Sequence, residues 1–387
     1  MKKDNYLNKI AESKKPFIIY KSNKGFDLFT DFSKKIILSN RNIENFINNS
    51  TKKKLKNKET DLYIGFFGYE ILNNLIDVKI KKQKGLKFPK GIFYKPETKK
   101  KLSNKLNYKP TDNSKSKGIF NINLNKVSYK NIFNKFKKKI KLGETYQIKI
   151  CTKYRKNSHI DALDFFCRLT KSNMAPEAFM INDKDYSIIS CSPENLITKT
   201  KNIISTKPIA GTLKKTKKLN KSKALIFFKK NIKETKEHNM IVDMERSDLS
   251  KICKPGSVKI IKKKIVEEYK DLYHYVSQIA GKLKKNVSSL EIIKAMMPGG
   301  SVIGCPKIST LNLLNKQEKE NRNIYTGSFG YLKFDGDMRF NIIIRSILNY
   351  QNQSEISVAS GVVIDSNASH EFNENYIKAK ALIDLYK

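Results

Sequence analysis

Three runs near the C-terminus decide the fold class: Gly327-Ser-Phe-Gly-Tyr-Leu-Lys-Phe334, Arg339-Phe-Asn-Ile-Ile-Ile-Arg-Ser-Ile-Leu348 and Ile356-Ser-Val-Ala-Ser-Gly-Val-Val-Ile364. They are dense in Ile, Val and Phe, which favour a pleated, buried surface, and they follow one another through short connections. Successive strands joined by short turns pair antiparallel. Working outward, Phe17-Ile-Ile-Tyr-Lys-Ser22 and Tyr146–Cys151 read as strands, and Asp61–Glu70 as a strand interrupted by two glycines. Ala178–Asn182 and Tyr186–Cys191 form a hairpin around Asp183-Lys-Asp185. Ile203–Gly211 is a strand that ends in a Pro-Ile-Ala-Gly-Thr turn. Helices are expected over Val127–Lys141, in a pair before Lys254-Pro-Gly256, through a helix-rich region to Met297, and at the C-terminal end. The class is therefore α+β.

Two helices carry unusual carboxylates. In Glu234-Thr-Lys-Glu-His-Asn-Met-Ile-Val-Asp-Met-Glu-Arg-Ser-Asp248, helical steps from Glu237 reach Ile241, Met244 and Asp248, so acidic and apolar side chains share one stripe. A carboxylate drawn into a low-dielectric face must neutralise or find a cation. Glu234 and Glu237 are thus half of a metal or proton-transfer site, and Glu371 and Glu374 repeat their spacing on the last helix. Without a Cys or His cluster, an all-oxygen set suits Mg²⁺ better than zinc. The competing reading is that such pairs are ordinary on solvated helix faces.

Composition narrows the class. The 387 residues with 39% hydrophobic content can fill a substantial core without staples. No run approaches the roughly 20 apolar residues that cross a bilayer, and Met1-Lys-Lys-Asp-Asn5 lacks a secretory apolar run, so a cytoplasmic protein away from membranes is expected. The five cysteines lack C-x-x-C spacing, which indicates reduced thiols. A formal charge of +42 invites a basic nucleic-acid-binding protein as an alternative. Its texture argues against one: the charge is nearly all Lys, with seven Arg, and no nucleic-acid-binding motif is present.

A polar, turn-rich stretch from Pro96 to Lys117 is the candidate connection between an N-terminal portion, 1–117, and a larger portion, 118–387. Pro298-Gly-Gly-Ser-Val-Ile-Gly-Cys-Pro-Lys307 is a glycine loop without the order of a nucleotide-binding P-loop. Its backbone N–H groups suit a ligand with acidic groups.

From about Gly118 onward, an ordered series of motifs resembles the chorismate-utilising family: the large subunits of anthranilate synthase and aminodeoxychorismate synthase, with isochorismate and salicylate synthases. The series comprises Gly143-Glu-Thr-Tyr-Gln-Ile148, Ser192-Pro-Glu194, Pro208-Ile-Ala-Gly-Thr212, Glu237-His-Asn-Met-Ile-Val-Asp243 with Arg246 and Asp248, Lys254-Pro-Gly-Ser257, His274-Tyr-Val-Ser277, Pro298–Lys307, Gly327–Arg345 and Gly361–Lys380. The resemblance implies an anthranilate synthase component I-like fold, with large antiparallel sheets forming a sandwich-like core flanked by helices. It implies Glu237 and Glu374 as Mg²⁺ ligands, Glu234 and Glu371 as supporting or water-mediated partners, and Mg²⁺ holding the ring carboxylate of chorismate. His274 falls where the C4 hydroxyl departs. Tyr331 and Arg345 match positions that bind the side-chain carboxylate, Ser360 and Gly361 supply backbone donors to it, and Ala210, Gly211 and Thr212 line the ring. Glu194 and Lys307 also match site positions. Ser247, Cys305 and Ser360 stand where the family usually has Asn, Ala and Gly.

Within the family, anthranilate synthases resemble one another in an N-terminal Leu-Leu-Glu-Ser motif that binds tryptophan, and here Phe17–Ser22 lacks the Glu. That departure, Ala175-Pro176 and the Pro-Gly-Gly-Ser opening of the glycine loop favour aminodeoxychorismate synthase component I, on the route to p-aminobenzoate and folate. Ala210 keeps anthranilate synthase component I as the alternative, because many aminodeoxychorismate synthases carry a nucleophilic Lys there. Gln147 stands where isochorismate and salicylate synthases carry a Lys that deprotonates water, so the resemblance implies amination rather than hydration. Ammonia would come from a separate glutamine amidotransferase subunit, since no Cys sits in a glutaminase-like context.

Overall fold

The computed structural model describes residues 6–386 except 52, 58, 79, 81–83, 111–118, 159, 217, 270 and 271, and gives only the backbone at 233. In chain order the elements are α1 (Tyr6–Ser13), β1 (Phe17–Ser22), β2 (Gly25–Ile37), α2 (Ile43–Ser50), β3 (Leu62–Phe67), α3 (Tyr69–Leu75), β4 (Gly91–Leu102), β5 (Asn121–Ile122), α4 (Lys126–Lys141), β6 (Gln147–Asn157), α5 (Ala162–Ser172), β7 (Glu177–Asn182), β8 (Tyr186–Ser192), β9 (Asn195–Thr200), β10 (Ile203–Lys207), β11 (Ile209–Lys214), α6 (Lys221–Lys230), α7 (Ile232–Ile252), β12 (Lys259–Glu268), β13 (Leu272–Lys282), α8 (Ser289–Met296), β14 (Gly304–Cys305), α9 (Lys307–Gln317), β15 (Ser328–Lys333), β16 (Met338–Asn341), β17 (Ser346–Tyr350), β18 (Gln353–Val362) and α10 (Ala368–Ile383). Among the described residues no helix is long and apolar enough to cross a membrane.

Pairing between these strands is antiparallel throughout. From one edge the order is β12, β13, β10, β9, β16, β15, β3, β4, β2, β1, β7, β8, β17, β18 and β6; β11 also pairs with β13, and β5 and β14 with β6. The ribbon folds back on itself. Phe179 of β7 stacks on Phe329 of β15 with ring centroids 3.7 Å apart, amid Ile18, Phe29, Ile64, Phe66 and Ile188. Burying each such side chain contributes about 1.5–3 kcal/mol, so this inner layer welds the two halves into a sandwich. Helices α2, α7 and α8 cover the outer face of one half, and α1, α5 and α10 that of the other. The expected α+β sandwich with flanking helices is the observed architecture.

Particular elements differ from the sequence reading. Part of the region expected to be helical up to Met297 is the hairpin β12–β13, whose β-branched and aromatic residues pack from a pleated surface; only α8 is a helix there. Arg339–Leu348 is two strands. β16 pairs with β15 and β9 in one half while β17 pairs with β8 and β18 in the other, so the chain crosses between halves at Ile342–Arg345. Pro208, which has no N–H to give a ladder, divides Ile203–Gly211 into β10 and β11, and Thr212 lies inside β11. Glu70 belongs to α3. The polar stretch from Pro96 begins inside β4, which runs to Leu102, and its part at 111–118 lies outside the described residues. Strands from before and after that stretch share one sheet, since β1 pairs with β7 and β3 with β15.

Candidate active site

Helix α7 starts where the Asn231 side chain accepts a hydrogen bond from the Glu234 N–H at 3.2 Å, and α10 where Asn367 accepts from Ser369 and His370. These caps fix the register of the acidic stripes. Ile241 and Asp248 are buried and Glu237 and Met244 half-buried, as the helical spacing requires. Opposite Glu237, alternation along β6 puts Gln147 and Lys149 on one face. Gln147 Nε2 donates to Glu237 Oε1 at 2.9 Å and Lys149 Nζ donates to the same oxygen at 3.0 Å. The Lys149 charge, helped by both hydrogen bonds, overcomes burial and holds the Glu237 carboxyl down at about 2. Burial pulls Lys149 down, but Glu237, with Glu374 and Glu371 behind it, more than offsets this, so the amine stays protonated.

The α10 carboxylates close the group. Glu371 is buried, and oxygens of Glu371 and Glu374 lie with a ring nitrogen of His370 within 4.8 Å of one another. Glu374 pairs with Lys378 at 2.6 Å; against the pull of burial, Lys378 and Lys149 keep it below the usual carboxylate range. Gly361 of β18 stands across from Lys149, and a Cβ there would come within 2.8 Å of Lys149 Nζ and 3.0 Å of Gln147 Nε2. Glycine therefore gives both side chains their room. Neighbouring Ser360 turns its hydroxyl into the wall, 2.6 Å from Tyr129 Oη. Carboxylates that already draw an ammonium among them, with the exposed His370 ring at their edge, are chemically suited to a hard divalent cation.

A second group lies on β11, β13 and the crossing before β17. Thr212 and His274 face each other in register, with Thr212 Oγ1 3.0 Å from His274 Nδ1. Burial, then the nearby Arg345 charge, pushes His274 down to about 3, so the imidazole is neutral at physiological pH. Gly211 has φ +82°, and a Cβ on it would meet the Phe228 ring at 2.7 Å and Glu234 Oε2 at 2.9 Å, so only glycine lets this strand pass so close to α7. Ala210 beside it is buried. Arg345 sits at φ +49° in the crossing. Burial pulls its pKa below that of an ordinary guanidinium, and among the described residues its side chain has no hydrogen-bond or ion-pair partner. Burial pushes Glu194 up to about 7 against the opposing pull of Ser301, the Lys149 charge, the Ile209 N–H and the Arg345 charge, and among the described residues its Oε1 has no hydrogen-bond partner. It links the two groups.

Two expected site residues lie elsewhere. Tyr331 on β15 has its ring centroid 6.4 Å from that of Tyr20 and sits beside the Arg339–Glu177 ion pair, a cluster apart from Arg345. The tyrosine near β6 and β18 is Tyr325, packed on Cys151 and Ala359 next to Ile344. Lys307 Nζ is taken by Asp248 Oδ2 at 2.6 Å and the Ala295 and Met296 carbonyls at 3.2 and 3.3 Å. Asp248 is eleven residues along α7 from Glu237, roughly 16 Å, so Lys307 ties the glycine loop to the far end of that helix. The loop positions β6: the Ile303 and Cys305 carbonyls accept from the N–H groups of Lys149 and Tyr146. Lys149 was not singled out from sequence, although its i+2 spacing from Gln147 on a strand could have shown it.

A model of the chorismate binding enzyme family matches residues 6–384. The chain belongs to that family. It is 34% identical to aminodeoxychorismate synthase component 1 of Bacillus subtilis over 249 residues, covering 64% of this chain and 53% of that protein, so the match spans about half of that relative. It is 30% identical over 348 residues to an anthranilate synthase component I-like protein of Synechocystis, covering 83% and 72%. Among solved structures, anthranilate synthase component I of Streptococcus pneumoniae superposes with a TM-score of 0.78 at 23% identity, covering 95% of this chain and 89% of that one. The menaquinone-specific isochorismate synthase of Escherichia coli gives 0.77 at 15%, covering 96% and 89%. These two likenesses concern the fold.

Proposed function

We propose that this chain is an aminodeoxychorismate synthase component I, which aminates chorismate with ammonia to 4-amino-4-deoxychorismate for p-aminobenzoate and folate synthesis. The observation that carries the reading is Arg345, a desolvated guanidinium with no direct ion pair among the described residues, which feels the Glu194 carboxylate and acts on neutral His274, while Glu194 in turn feels the Lys149 charge beside Glu237. That arrangement suits a small dicarboxylate: one carboxylate pairs with the Arg345 fork and the other is directed to the acidic cluster. Mg²⁺ bound by Glu237 and Glu374, with Glu234 and Glu371 in support, would neutralise that second carboxylate and fix its orientation.

The residues then divide the work. Neutral His274, steadied by Thr212, donates a hydrogen bond to the C4 hydroxyl as it leaves. Gln147 has no accessible pKa and orients the incoming nitrogen without acting as a base. Glu194, with a pKa near neutrality, would take the proton that ammonia releases as the C4–N bond forms and return it to the oxygen as the C4–O bond breaks. Net, amine replaces hydroxyl and water departs. Ammonia from a separate glutamine amidotransferase fits the five thiols, each pushed above its usual pKa by burial and so unlike a nucleophilic thiolate. Ala210 favours the second reading, anthranilate synthase component I, because no nucleophile stands at that buried position. Steady-state kinetics of Arg345→Met test the shared core of both: the KM for chorismate should rise by roughly 10- to 100-fold, the cost of a lost charged hydrogen bond. An unchanged KM contradicts the assignment.

A further inference from the structure

Lys149 has two features that the reaction just described does not use. Its ammonium lies 3.0 Å from Glu237 with Glu371 and Glu374 close behind, and its side chain is only 13% exposed, against 42% for Lys378 on the rim. Its charge also acts on Glu194, as do Ser301 and the Ile209 N–H, while the buried Glu194 Oε1 has no hydrogen-bond partner among the described residues. A lysine on a rigid strand, held by one carboxylate at 3.0 Å and acting by its charge on a second that keeps one oxygen unpartnered among the described residues, has two berths for its flexible stem.

We propose that Lys149 is a tethered cation standing in the divalent cation's place against Glu237, and that it moves to Glu194 when the metal binds. The inference rests on the reading that Glu237, Glu371 and Glu374 hold a divalent cation. In the metal-free protein the ammonium keeps the converging carboxylates from repelling one another, so the site is preformed. The metal then gains only the difference between its own attraction and that of the lysine it displaces. Transfer to Glu194 gives the displaced charge a partner and leaves no buried carboxylate bare.

Mn²⁺ binding followed by electron paramagnetic resonance, and Mg²⁺ binding by calorimetry, both without chorismate, test the inference. Lys149→Met should bind either ion about tenfold or more tightly than the wild type, because a competing unit charge a few ångströms away is gone. Glu194→Gln should weaken binding in the wild-type background and have no effect in the Lys149→Met background. Equal affinity of wild type and Lys149→Met overturns the inference and leaves the metal site standing; no binding by either overturns both. Should Lys149→Met fail to fold, amidination of wild-type Lys149 read by mass spectrometry decides: its rate should change on Mg²⁺ addition, and an unchanged rate overturns the proposal.

Discussion

Gln147 and Lys149, two residues apart on β6, donate to the same oxygen, Glu237 Oε1, at 2.9 and 3.0 Å. A neutral amide and a cation therefore share one carboxylate, and the amide is the one that cannot take up a proton. Gln147→Lys would place a second ammonium against that oxygen. Amination should fall by about tenfold or more, through like-charge repulsion with Lys149. Amination at the wild-type rate would show that the amide does not orient the nucleophile.

Glu237→Gln and Glu374→Gln should each lower turnover by at least about 100-fold, because each removes an anionic ligand from the proposed cation site. The fold should survive: Lys149 retains the Glu371 and Glu374 charges in the first variant, and α10 keeps its cap in the second. Turnover against Mg²⁺ concentration, with a thermal melt of each variant, checks this. Full activity at low Mg²⁺ in both would refute the metal assignment.

The pH dependence of stability has two opposed contributions. His274 is pushed from 6.5 to about 3, chiefly by burial, so between those values the unfolded chain binds a proton that the fold excludes. Stability from this group is complete above about pH 6.5 and declines as the pH falls towards 3. Glu194, raised by burial from 4.5 to about 7, acts the other way: its contribution is present below 4.5 and lost as the pH rises through 7. Urea midpoints across this range should show a shallower acid decline for His274→Gln and a shallower loss towards neutrality for Glu194→Gln. Profiles parallel to wild type would contradict both assignments.

What could be read in advance followed from local pattern. The acidic stripe of α7 was legible because a 3.6-residue period and a capped start are local properties, and they placed Glu237 inward as observed. His274 was found by its motif although its surroundings were misjudged: the lysines of β12 obscure the alternation that makes a hairpin, and only pairing across β13 aligns His274 with Thr212. Arg345 acquires its place beside His274 and Glu194 from the crossing between sheet halves, which no single strand reveals. Lys149 was hidden for a related reason. A lysine in a chain with 78 Lys and Arg looks like solvated surface until the strand partner opposite proves to be Gly361.

The most direct test of the proposed chemistry is chromatography of the products after the purified chain is incubated with chorismate and Mg²⁺, with ammonium at alkaline pH or with glutamine, and with or without aminodeoxychorismate lyase. The account predicts 4-amino-4-deoxychorismate from ammonium, p-aminobenzoate once the lyase is added, and no turnover with glutamine alone. Anthranilate formed without the lyase would contradict the 4-amino assignment, and isochorismate formed without ammonia would contradict amination itself.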